Sequence, residues 1–543
     1  MSYDAIVVGG GIAGLTAAAY IARSGRSVKL FEKQPKPGGL VQTFARDGVW
    51  FDTGLRSIEN SGIVFPMLKQ LGLDIEFRRS FISIGIGNKV IKVVDKNSIA
   101  DYASFLKSHY PESERDVSII IKEIKKIMGY MDVLYGIDNP ALMDLTRNPR
   151  YTFGKLLPWL FRFLFTMGKI NKLYEPVEQY LQRLTGNQSL IDIITQHFFR
   201  NMPTSFALSY FSLYLDYYYP KGGTATVVNS LAEYIGQKGG TLKMDVTITT
   251  LNPEEKYIID SNGNRTEYRT LIWAGDLKQL YNSIPIEQLK NEKLATTIKK
   301  KQTELAPLKG GDTLFTLYLT VAEERAYFER ICTGHFFYTP DKRGLSTVSK
   351  KAMEDFLHLP DTESDPPEMK RRIKAYLLEH FKMNTFEIAI PVLRDADLAP
   401  EGKVGVEVSL FMDYELDKKI EDCGWTEEMR EYREVITIDI LNDTLFPGIR
   451  DKVTDRFSSS PLTLEKLTGN SHGAITGWAF TNPILPAVNK MLKVNDSVKT
   501  LLPDVFQAGQ WTYSPSGFPM SVVTGKLSAD KVISTLRKKE AKH

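Results

Sequence analysis

A short apolar run and an alanine-rich stretch at the start of the chain predict a buried strand followed by a helix. Residues 5–8 are apolar throughout, which is typical of a parallel strand covered on both faces. Small side chains follow Gly11 and permit a helix to pack closely on a sheet. A second apolar run, residues 27–31, predicts another strand, so the chain begins with a strand–helix–strand unit.

The turn between the first strand and the helix carries a glycine motif with a chemical use. Gly9, Gly11 and Gly14 form a Gly-x-Gly-x-x-Gly pattern, which permits a tight turn, backbone approach to a pyrophosphate and close helix–strand contact. Glu32 ends the second strand, where a carboxylate can accept hydrogen bonds from both ribose hydroxyls of an adenine dinucleotide. This context favours a dinucleotide site over a glycine-rich turn without a ligand.

Helical and strand-like patterns alternate along the rest of the chain. Residues 101–215 predict mostly helices, and a strand–helix–strand rhythm returns after residue 217. Residues 313–320 predict a strand by their alternation and aromatic content. One predicted helix has a continuous apolar stripe, made of Val117, Ile120, Ile121, Ile124 and Ile127. At 543 residues the chain exceeds a single core, so two domains are expected.

The most apolar segment, residues 156–167, is too short to span a bilayer. It contains Pro158 and Arg162 and is flanked by Lys155 and Lys169. These basic flanks and its Trp- and Phe-rich face favour a helix lying in a membrane interface. A buried helix explains the same pattern equally well.

Charge and cysteine content narrow the classes of partner and compartment. The 69 Lys and Arg residues and 65 Asp and Glu residues give a net charge of +4, too small to indicate nucleic acid as the main partner. Cys332 and Cys423 form no Cys-x-x-Cys pair, which argues against a zinc site and suits a reducing compartment. Because the first strand starts almost at Met1, we expect no secretory peptide and a cytoplasmic protein. Peripheral attachment to a membrane surface is compatible with this expectation.

Several motifs, in order along the chain, resemble one family of flavoproteins. Glu32 is followed by the Gly38-Gly39 turn and by Phe-Asp-Thr-Gly at residues 51–54. Residues 219–223 form a Tyr-Pro-x-Gly-Gly turn, residues 460–477 contain Ser-Pro-Leu-Thr and Thr-Gly-Asn-x-x-Gly, and residues 517–519 form a Gly-x-Pro turn before a predicted helix. Together they resemble the FAD-binding phytoene desaturase, carotenoid isomerase and retinol saturase family, which is related to the amine oxidases.

The resemblance implies a two-domain α/β fold. A Rossmann-type FAD-binding domain is expected over residues 1–75, 216–278 and 459–543. A substrate domain with a mixed sheet and helices is expected to be inserted at residues 76–215 and 279–458, with residues 151–170 as its candidate membrane contact.

The resemblance also implies the site residues and the absence of a metal. The implied cofactor-binding residues are Gly9, Gly11, Ile12, Ala13, Gly14, Glu32, Lys33, Gly38, Gly39, Leu40, Asp52, Thr53, Gly54, Val246, Ala274, Gly509, Gln510, Gly517, Phe518, Pro519 and Met520. Val246 is expected to contact the adenine through its backbone. Leu40 replaces an arginine that is usual in the amine oxidases, and Gln510 replaces a usual acid.

The implied activity is that of an FAD-dependent oxidoreductase acting on double bonds of an apolar isoprenoid or polyene, by desaturation, saturation or isomerisation. The flavin N5 would exchange the hydride, and the residues expected to line it are Tyr219, Trp511, Tyr513 and Phe518. His197 is a candidate proton donor, although a histidine among aromatic residues is more often structural. Arg56 is expected to contact a polar head group or to pair with Glu32 or Glu59.

Two other functions share this fold. An amine-oxidase-like flavoenzyme is the enzymatic alternative, and a prenyl-lipid carrier without redox activity belongs to another functional class. The intact glycine motif and Glu32 disfavour the carrier, which would have no use for them. The expected partners are an apolar small molecule and a membrane surface, and the electron partner is open because no second glycine motif indicates a domain for NAD(P)H.

Overall fold

The computed structural model of the protein describes residues 3–145, 148–360 and 367–542. The strands are β1 Tyr3–Val8, β2 Val28–Phe31, β3 Thr43–Arg46, β4 Val49–Asp52, β5 Ile58–Glu59, β6 Phe77–Arg79, β7 Ile82–Ile86, β8 Lys89–Val93, β9 Tyr217–Pro220, β10 Thr241–Lys243, β11 Ile248–Asn252, β12 Tyr257–Asp260, β13 Arg265–Trp273, β14 Thr313–Val321, β15 His335–Thr339, β16 Phe386–Ala389, β17 Val404–Met412, β18 Val453–Ser459 and β19 Val505–Gln507. The helices are α1 Ile12–Arg23, α2 Val64–Leu71, α3 Ser98–His109, α4 Glu114–Leu134, α5 Pro149–Tyr151, α6 Leu157–Ile170, α7 Val177–Gln182, α8 Gln188–Thr195, α9 Thr204–Ala207, α10 Tyr210–Tyr214, α11 Ala225–Gln237, α12 Leu277–Asn282, α13 Glu292–Leu305, α14 Arg325–Ile331, α15 Lys351–Leu357, α16 Pro367–Met383, α17 Tyr414–Asp422, α18 Thr426–Thr444, α19 Pro461–Thr468, α20 Val494–Ser497 and α21 Phe518–Glu540.

The first sheet contains the predicted strand–helix–strand unit, which the structure confirms as β1, α1 and β2. Its strand order is β10–β2–β1–β13–β12–β11, with β19 beside β13. The pairs from β10 to β13, and the pair of β13 with β19, are parallel, whereas β11 and β12 extend β13 in antiparallel fashion. Parallel strands with helices on their faces make this an α/β unit.

Small residues let two helices approach each other on this sheet. Ala17, Ala18 and Ala19 of α1 are fully buried, in a core shared with α11 and α21. A Cβ at Gly525 of α21 would lie only 2.4 Å from the carbonyl oxygen of Ala13. The first helix and the last long helix of the chain therefore pack closely because glycine and alanine occupy their contact.

The second sheet has one face packed against helices and the opposite face directed toward the interior of the molecule. Its strand order is β18–β14–β17–β16–β15–β7–β8, antiparallel except for the pair of β15 with β7. The predicted strand over residues 313–320 is confirmed as β14. Alternate residues such as Phe315, Phe336, Ile388 and Val406 face a core formed with α14 to α18.

The helical segment from α3 to α10 packs on β7 and β8. The predicted apolar stripe on α4 is confirmed, since all five of its residues are buried. Helix α6 is only half buried, because Phe163 and Met167 face the core whereas Phe161 and Phe165 are 67% and 77% exposed. Along the described ranges, none of the helices combines the length and apolarity needed to cross a membrane.

The sheets follow the predicted division of the chain. The strands of the first sheet come from residues assigned to the FAD-binding domain, and those of the second sheet come from residues assigned to the substrate domain. A small third sheet, β5–β9–β6, joins strands from both assignments. The precise domain boundaries stay a prediction.

Candidate active site

A cavity of about 380 Å³ is lined by strand residues of the second sheet and by the turns that follow β1, β2, β13 and β19 of the first sheet. At the first sheet it is bordered by the glycine turn, Glu32, and the start of α21. At the second sheet it is bordered by aromatic and aliphatic side chains, with a few polar groups among them. The cavity thus joins the predicted dinucleotide site to an apolar chamber.

The glycine turn leaves open space in front of α1. Gly9 has φ 104°, in the region that favours glycine. A Cβ at Gly14 would lie 1.9 Å from the carbonyl oxygen of Gly9, so helix and turn are in direct contact. A Cβ at Gly11 would meet no described atom within 4 Å. The unpaired N–H groups at the start of α1 therefore border space that a phosphate group can enter.

Glu32 is held in place by two backbone donors. The N–H of Gly10 donates to Glu32 Oε2 at 2.5 Å, and the N–H of Gln34 donates to Oε1 at 2.9 Å. A carboxylate can accept about four hydrogen bonds, so acceptor capacity remains for hydroxyl groups of a ligand. Since Glu32 borders the cavity and its carboxylate is held in one position, it is suited to accept hydrogen bonds from the hydroxyl groups of a ribose.

The second turn that borders the cavity lies at the C-terminal end of the first sheet. Gly509, with φ 96°, follows β19 and donates its N–H to Thr524 Oγ1 at 2.9 Å. Gly517 precedes the first turn of α21, where Phe518 and Pro519 border the cavity. A second helix N-terminus, which is favourable for negative charge, is thus directed at the same cavity as α1.

The predicted cofactor-binding residues fall into two groups in the structure. Those that line the cavity are Gly9, Gly11, Ile12, Ala13, Glu32, Gly38, Gly39, Leu40, Gly54, Ala274, Gly509, Gln510, Gly517, Phe518 and Pro519. Those that do not are Gly14, Lys33, Asp52, Thr53, Val246 and Met520.

The residues of the second group have other contacts in the fold. Asp52 accepts hydrogen bonds from the hydroxyl groups of Thr43 at 2.6 Å, Tyr219 at 2.7 Å and Thr224 at 2.9 Å, so it joins β4 to the start of α11. The N–H of Val246 donates to the carbonyl oxygen of Glu32 at 2.9 Å and is not available to an adenine. Lys33 donates to the carbonyl oxygen of Lys466.

Two of the four residues expected around the flavin line this cavity. Trp511 and Phe518 do so, whereas Tyr219 is fully buried against Asp52. Tyr513 lines a separate cavity of about 70 Å³ beneath α4 and α6. Phe206 borders both cavities, so the two lie on either side of this residue.

Aromatic rings dominate the apolar chamber at the second sheet. Its lining includes Phe198, Phe199, Phe206, Phe337, Phe411, Leu213, Leu314 and Leu410. Phe199 meets Phe411 edge-to-face, with 5.6 Å between ring centroids. Such a surface can bury an extended apolar molecule.

Arg56 pairs with neither of the acids suggested by the sequence. It is buried in an ion pair with Glu407, and its Nη2 donates to Ser409 Oγ at 2.8 Å. The predicted pairing with Glu32 or Glu59 was therefore wrong, and the contact with a head group stays a prediction. His197 lies at the cavity with its Nδ1 2.7 Å from Tyr214 Oη, and burial lowers the pKa of its imidazole to about 4, so the ring is neutral at neutral pH.

Sequence reasoning missed a set of polar residues in the cavity wall. They are Ser57, Glu59, Gln196, Tyr217, Thr385, Glu387 and Ser409. The pKa of Glu59 is raised to about 7, mainly by burial, with the hydrogen bond from Ser61 opposing the shift and the nearby Asp216 adding to it. Strand alternation could have indicated Glu387 and Ser409, because their chain neighbours face the helix-covered core.

Sequence comparisons connect the chain to known proteins. A family model described as NAD(P)-binding Rossmann-like domain matches residues 7–71. The all-trans-retinol 13,14-reductase of Rattus norvegicus is 21% identical over 93% of this chain and 82% of its own length. The inactive all-trans-retinol 13,14-reductase of Danio rerio is 24% identical over 64% of this chain, and the match spans 56% of that protein. A 4,4'-diapophytoene desaturase of Staphylococcus aureus is 20% identical over 98% of both chains.

Solved structures share the fold over nearly the whole chain. An oxidoreductase from Methanosarcina mazei has a TM-score of 0.57 at 14% identity, covering 98% of this chain and 99% of that one. A triple mutant of putrescine oxidase has a TM-score of 0.58 at 13% identity, with the same coverage. The cyclohexylamine oxidase of Brevibacterium oxydans IH-35A has a TM-score of 0.55 at 12% identity, covering 99% of this chain and 100% of that one.

These comparisons confirm two predictions made from the motifs. The predicted resemblance to the phytoene desaturase and retinol saturase group is confirmed by the sequence relatives. The two-domain α/β fold of amine oxidases is confirmed by the solved structures. Together with the Rossmann-like match at the glycine turn, they point to a flavin cofactor.

Proposed function

We propose that this protein is an FAD-dependent oxidoreductase that acts on carbon–carbon double bonds of an apolar isoprenoid or polyene lipid. One observation carries the proposal: the glycine turn, Glu32 and the aromatic chamber border the same cavity. A dinucleotide bound at the turn would therefore reach directly toward an apolar substrate. The names of the sequence relatives, retinol reductase and diapophytoene desaturase, support the same class of reaction.

The residues at the first sheet fit FAD. The open space at Gly11 accommodates a pyrophosphate, and Glu32 retains acceptor capacity for the ribose of the adenosine. The N-terminus of α21, with Gly517 and Phe518, would favour the electron-rich end of a bound flavin. Bound FAD supplies the capacity to accept or donate a hydride. The protein supplies position, an apolar surface and exclusion of water.

The apolar chamber favours a polyene over an amine as the substrate. Its rings offer stacking and burial along an extended hydrocarbon, which gains about 25 cal/mol for each Å² of apolar area removed from water. An amine-oxidase-like activity is the second candidate, favoured by the fold of the putrescine and cyclohexylamine oxidase structures. The sequence relatives favour the polyene.

We further propose that α6 attaches the protein to a membrane surface, from which an apolar substrate enters. Its outer face carries Phe161, Leu164 and Phe165, all exposed, and the preceding turn carries Phe153. Lys155, Arg162 and Lys169 are exposed beside them and suit an anionic lipid surface. The small cavity with Tyr513 lies beneath the inner face of α6, next to Phe206.

The function is tested with the purified protein, FAD and a panel of polyenes and amines. We expect FAD to bind with a flavin absorption spectrum, and a C20 to C40 polyene in detergent micelles to change the number of its conjugated double bonds, as read by liquid chromatography with absorbance detection. Putrescine and cyclohexylamine should release no hydrogen peroxide. Peroxide release from amines without polyene conversion would favour the amine oxidase. A protein that binds a polyene but no FAD would favour the carrier.

A further inference from the structure

A glutamate from the second sheet projects into the cavity from a row of side chains on its interior face. Glu387 lies on β16, opposite Phe337 of β15 and Ser409 of β17 in the strand register. All three line the cavity, whereas Phe386 and Ile388, its chain neighbours, are fully buried in the helix-covered core. The Glu387 side chain is 30% exposed, and that exposed part faces the cavity.

The carboxylate of Glu387 is held by a histidine that has no access to the cavity. His335 Nε2 lies 2.8 Å from Glu387 Oε1, and the His335 side chain is only 3% exposed. On the other side of the ring, Nδ1 lies 2.9 Å from Ser57 Oγ, which is 2.9 Å from Ser80 Oγ. The ring of Tyr217 stacks on the imidazole, with 5.6 Å between centroids and a 17° angle between planes. The imidazole therefore has one orientation.

This arrangement fixes the protonation of the pair. Burial would raise the pKa of Glu387, but the hydrogen bond from His335 and the cations of Arg56 and Arg394 lower it overall. Burial lowers the pKa of His335 more than Glu387 raises it, so the imidazole is neutral. Because the carboxylate can only accept, His335 carries its proton on Nε2 and its Nδ1 accepts from the Ser57 hydroxyl.

We propose that Glu387 is the proton acceptor when a double bond forms in the substrate, and that His335 is its positioning residue. The proposal rests on the proposed function. Two C–H bonds on adjacent carbons break. One carbon would lose a hydride, for which bound FAD would supply the two-electron acceptor. The other carbon would lose a proton to Glu387, and the electron pair of that C–H bond would become the π bond. The substrate would be oxidised by two electrons, and Glu387 would become a carboxylic acid.

Glu32, which is assigned to the ribose, and Tyr217, which stacks on His335, also line the cavity, and two further ionisable groups there are weaker candidates for this role. Glu59 is hydrogen-bonded by Ser61, and its raised pKa of about 7 leaves a large share of it protonated at neutral pH. His197 has its Nδ1 engaged with Tyr214 and, with a pKa near 4, is a weak base. Glu387 is the carboxylate that is both ionised and oriented by a hydrogen bond to a buried partner. A positioned base of this kind contributes about 10²- to 10⁴-fold to rate.

The experiment compares Glu387→Gln, Glu387→Asp and His335→Phe with wild type, on the polyene that wild type converts. We expect Glu387→Gln to lower kcat by about 10²-fold or more, with KM for the polyene and the flavin spectrum unchanged. Glu387→Asp should retain part of kcat because it keeps a carboxylate. His335→Phe should lower kcat about tenfold and raise the pH at which the rate reaches half of its maximum, since the carboxylate loses its donor. Glu401→Gln, in an exposed turn, is the matched control and should behave as wild type.

A second measurement needs neither FAD nor turnover. In the cofactor-free protein labelled with ¹⁵N-histidine, the His335 ring should show a protonated Nε2 and an unprotonated Nδ1 from pH 6 to 8. Glu387→Gln should shift the Nε2 resonance, whereas Glu59→Gln should not. A His335 ring that is insensitive to the Glu387 change would overturn the positioning contact.

The outcomes separate this inference from the proposed function. If wild type converts no polyene, the proposed function fails. If wild type converts one and Glu387→Gln keeps its kcat, the inference alone is overturned, and the same holds if Glu59→Gln loses activity in its place. If Glu387→Gln does not fold, Glu387→Asp provides the test. The shorter aspartate side chain holds its carboxylate farther from the substrate, so a wild-type kcat in Glu387→Asp would overturn the inference.

Discussion

At the scale of single residues, two glycines of the same motif differ in what an added side chain would meet. Gly14 contacts the backbone of Gly9, whereas Gly11 borders open space. Gly11 has φ −71°, which any residue adopts, so its lack of a side chain is not required by the backbone. The close contact with Gly9 explains why position 14 is a glycine. A ligand that occupies the open space would explain why position 11 is a glycine.

This difference predicts the effects of two alanine variants. Gly11→Ala should leave the thermal unfolding midpoint of the cofactor-free protein unchanged, because the added Cβ meets no protein atom, but should weaken FAD binding by about tenfold or more, a loss of about 1.4 kcal/mol. Gly14→Ala should destabilise the fold by about 1–3 kcal/mol through overlap with Gly9. Differential scanning fluorimetry and FAD titration measure both.

Each variant is the control for the other, because both add the same methyl group at positions only three residues apart. Equal loss of FAD affinity and equal loss of stability in both would mean that the turn acts only as a structural unit. Unchanged FAD affinity in Gly11→Ala would place the pyrophosphate elsewhere in the cavity.

At the scale of elements, α6 has an apolar face that meets no partner among residues 3–145, 148–360 and 367–542. Phe161 and Phe165 are 67% and 77% exposed, beside Arg162 and Lys169. Burying a Phe side chain contributes about 1.5–3 kcal/mol, and each basic residue near an anionic surface about 1 kcal/mol. Phe161→Ser/Phe165→Ser should therefore reduce binding to vesicles of phosphatidylcholine and phosphatidylglycerol by about tenfold or more in a sedimentation assay.

The matched control is Phe81→Ser, which removes an exposed ring elsewhere on the surface and should bind vesicles as wild type does. Binding should also decrease when phosphatidylglycerol is omitted, because the basic residues lose their partner. Equal vesicle binding by the double variant and Phe81→Ser would show that α6 is not the attachment site.

The elements differ in how far the sequence alone could predict them. β1, α1, β2 and the stripe on α4 depend on local periodicity, which residues a few positions apart reveal. The orientation of α6 could not be decided, because an apolar run of that length fits either a core or an interface. The hydrogen bond between Tyr219 and Asp52 could not be predicted, since a motif indicates a neighbourhood and not the direction of a side chain.

The polar residues of the cavity wall could not be predicted from the sequence for a related reason. Ser57, His335 and Glu387 are separated by 278 and 52 residues along the chain. The pairing of β15 with β16 brings His335 near Glu387, whereas Ser57 comes from the residue before β5. Each of these residues alone is unremarkable in the sequence. Alternation within β16 separates Glu387 from its apolar neighbours, but it does not reveal which histidine it will meet.

At the scale of the whole molecule, the cavity connects two sheets that have different cores. The first sheet packs with α1, α11 and α21, and the second packs with α14 to α18. We propose that the first is the cofactor domain and the second the substrate domain. Their ligands would then meet in the cavity that both sheets line.

This division predicts two separable patterns of protection in hydrogen–deuterium exchange. FAD alone should protect the segments 9–13, 38–40, 509–511 and 516–519, which border the cavity at the first sheet. A polyene added to the FAD-loaded protein should further protect residues 196–206, 385–387 and 409–411, because a bound ligand suppresses local opening of the segments that it contacts. The exposed helix α13 serves as an internal reference and should exchange equally in all states. If the polyene protected the glycine turn and left residues 385–411 unchanged, the second sheet would not be the substrate domain, and the role proposed for Glu387 would fail with it.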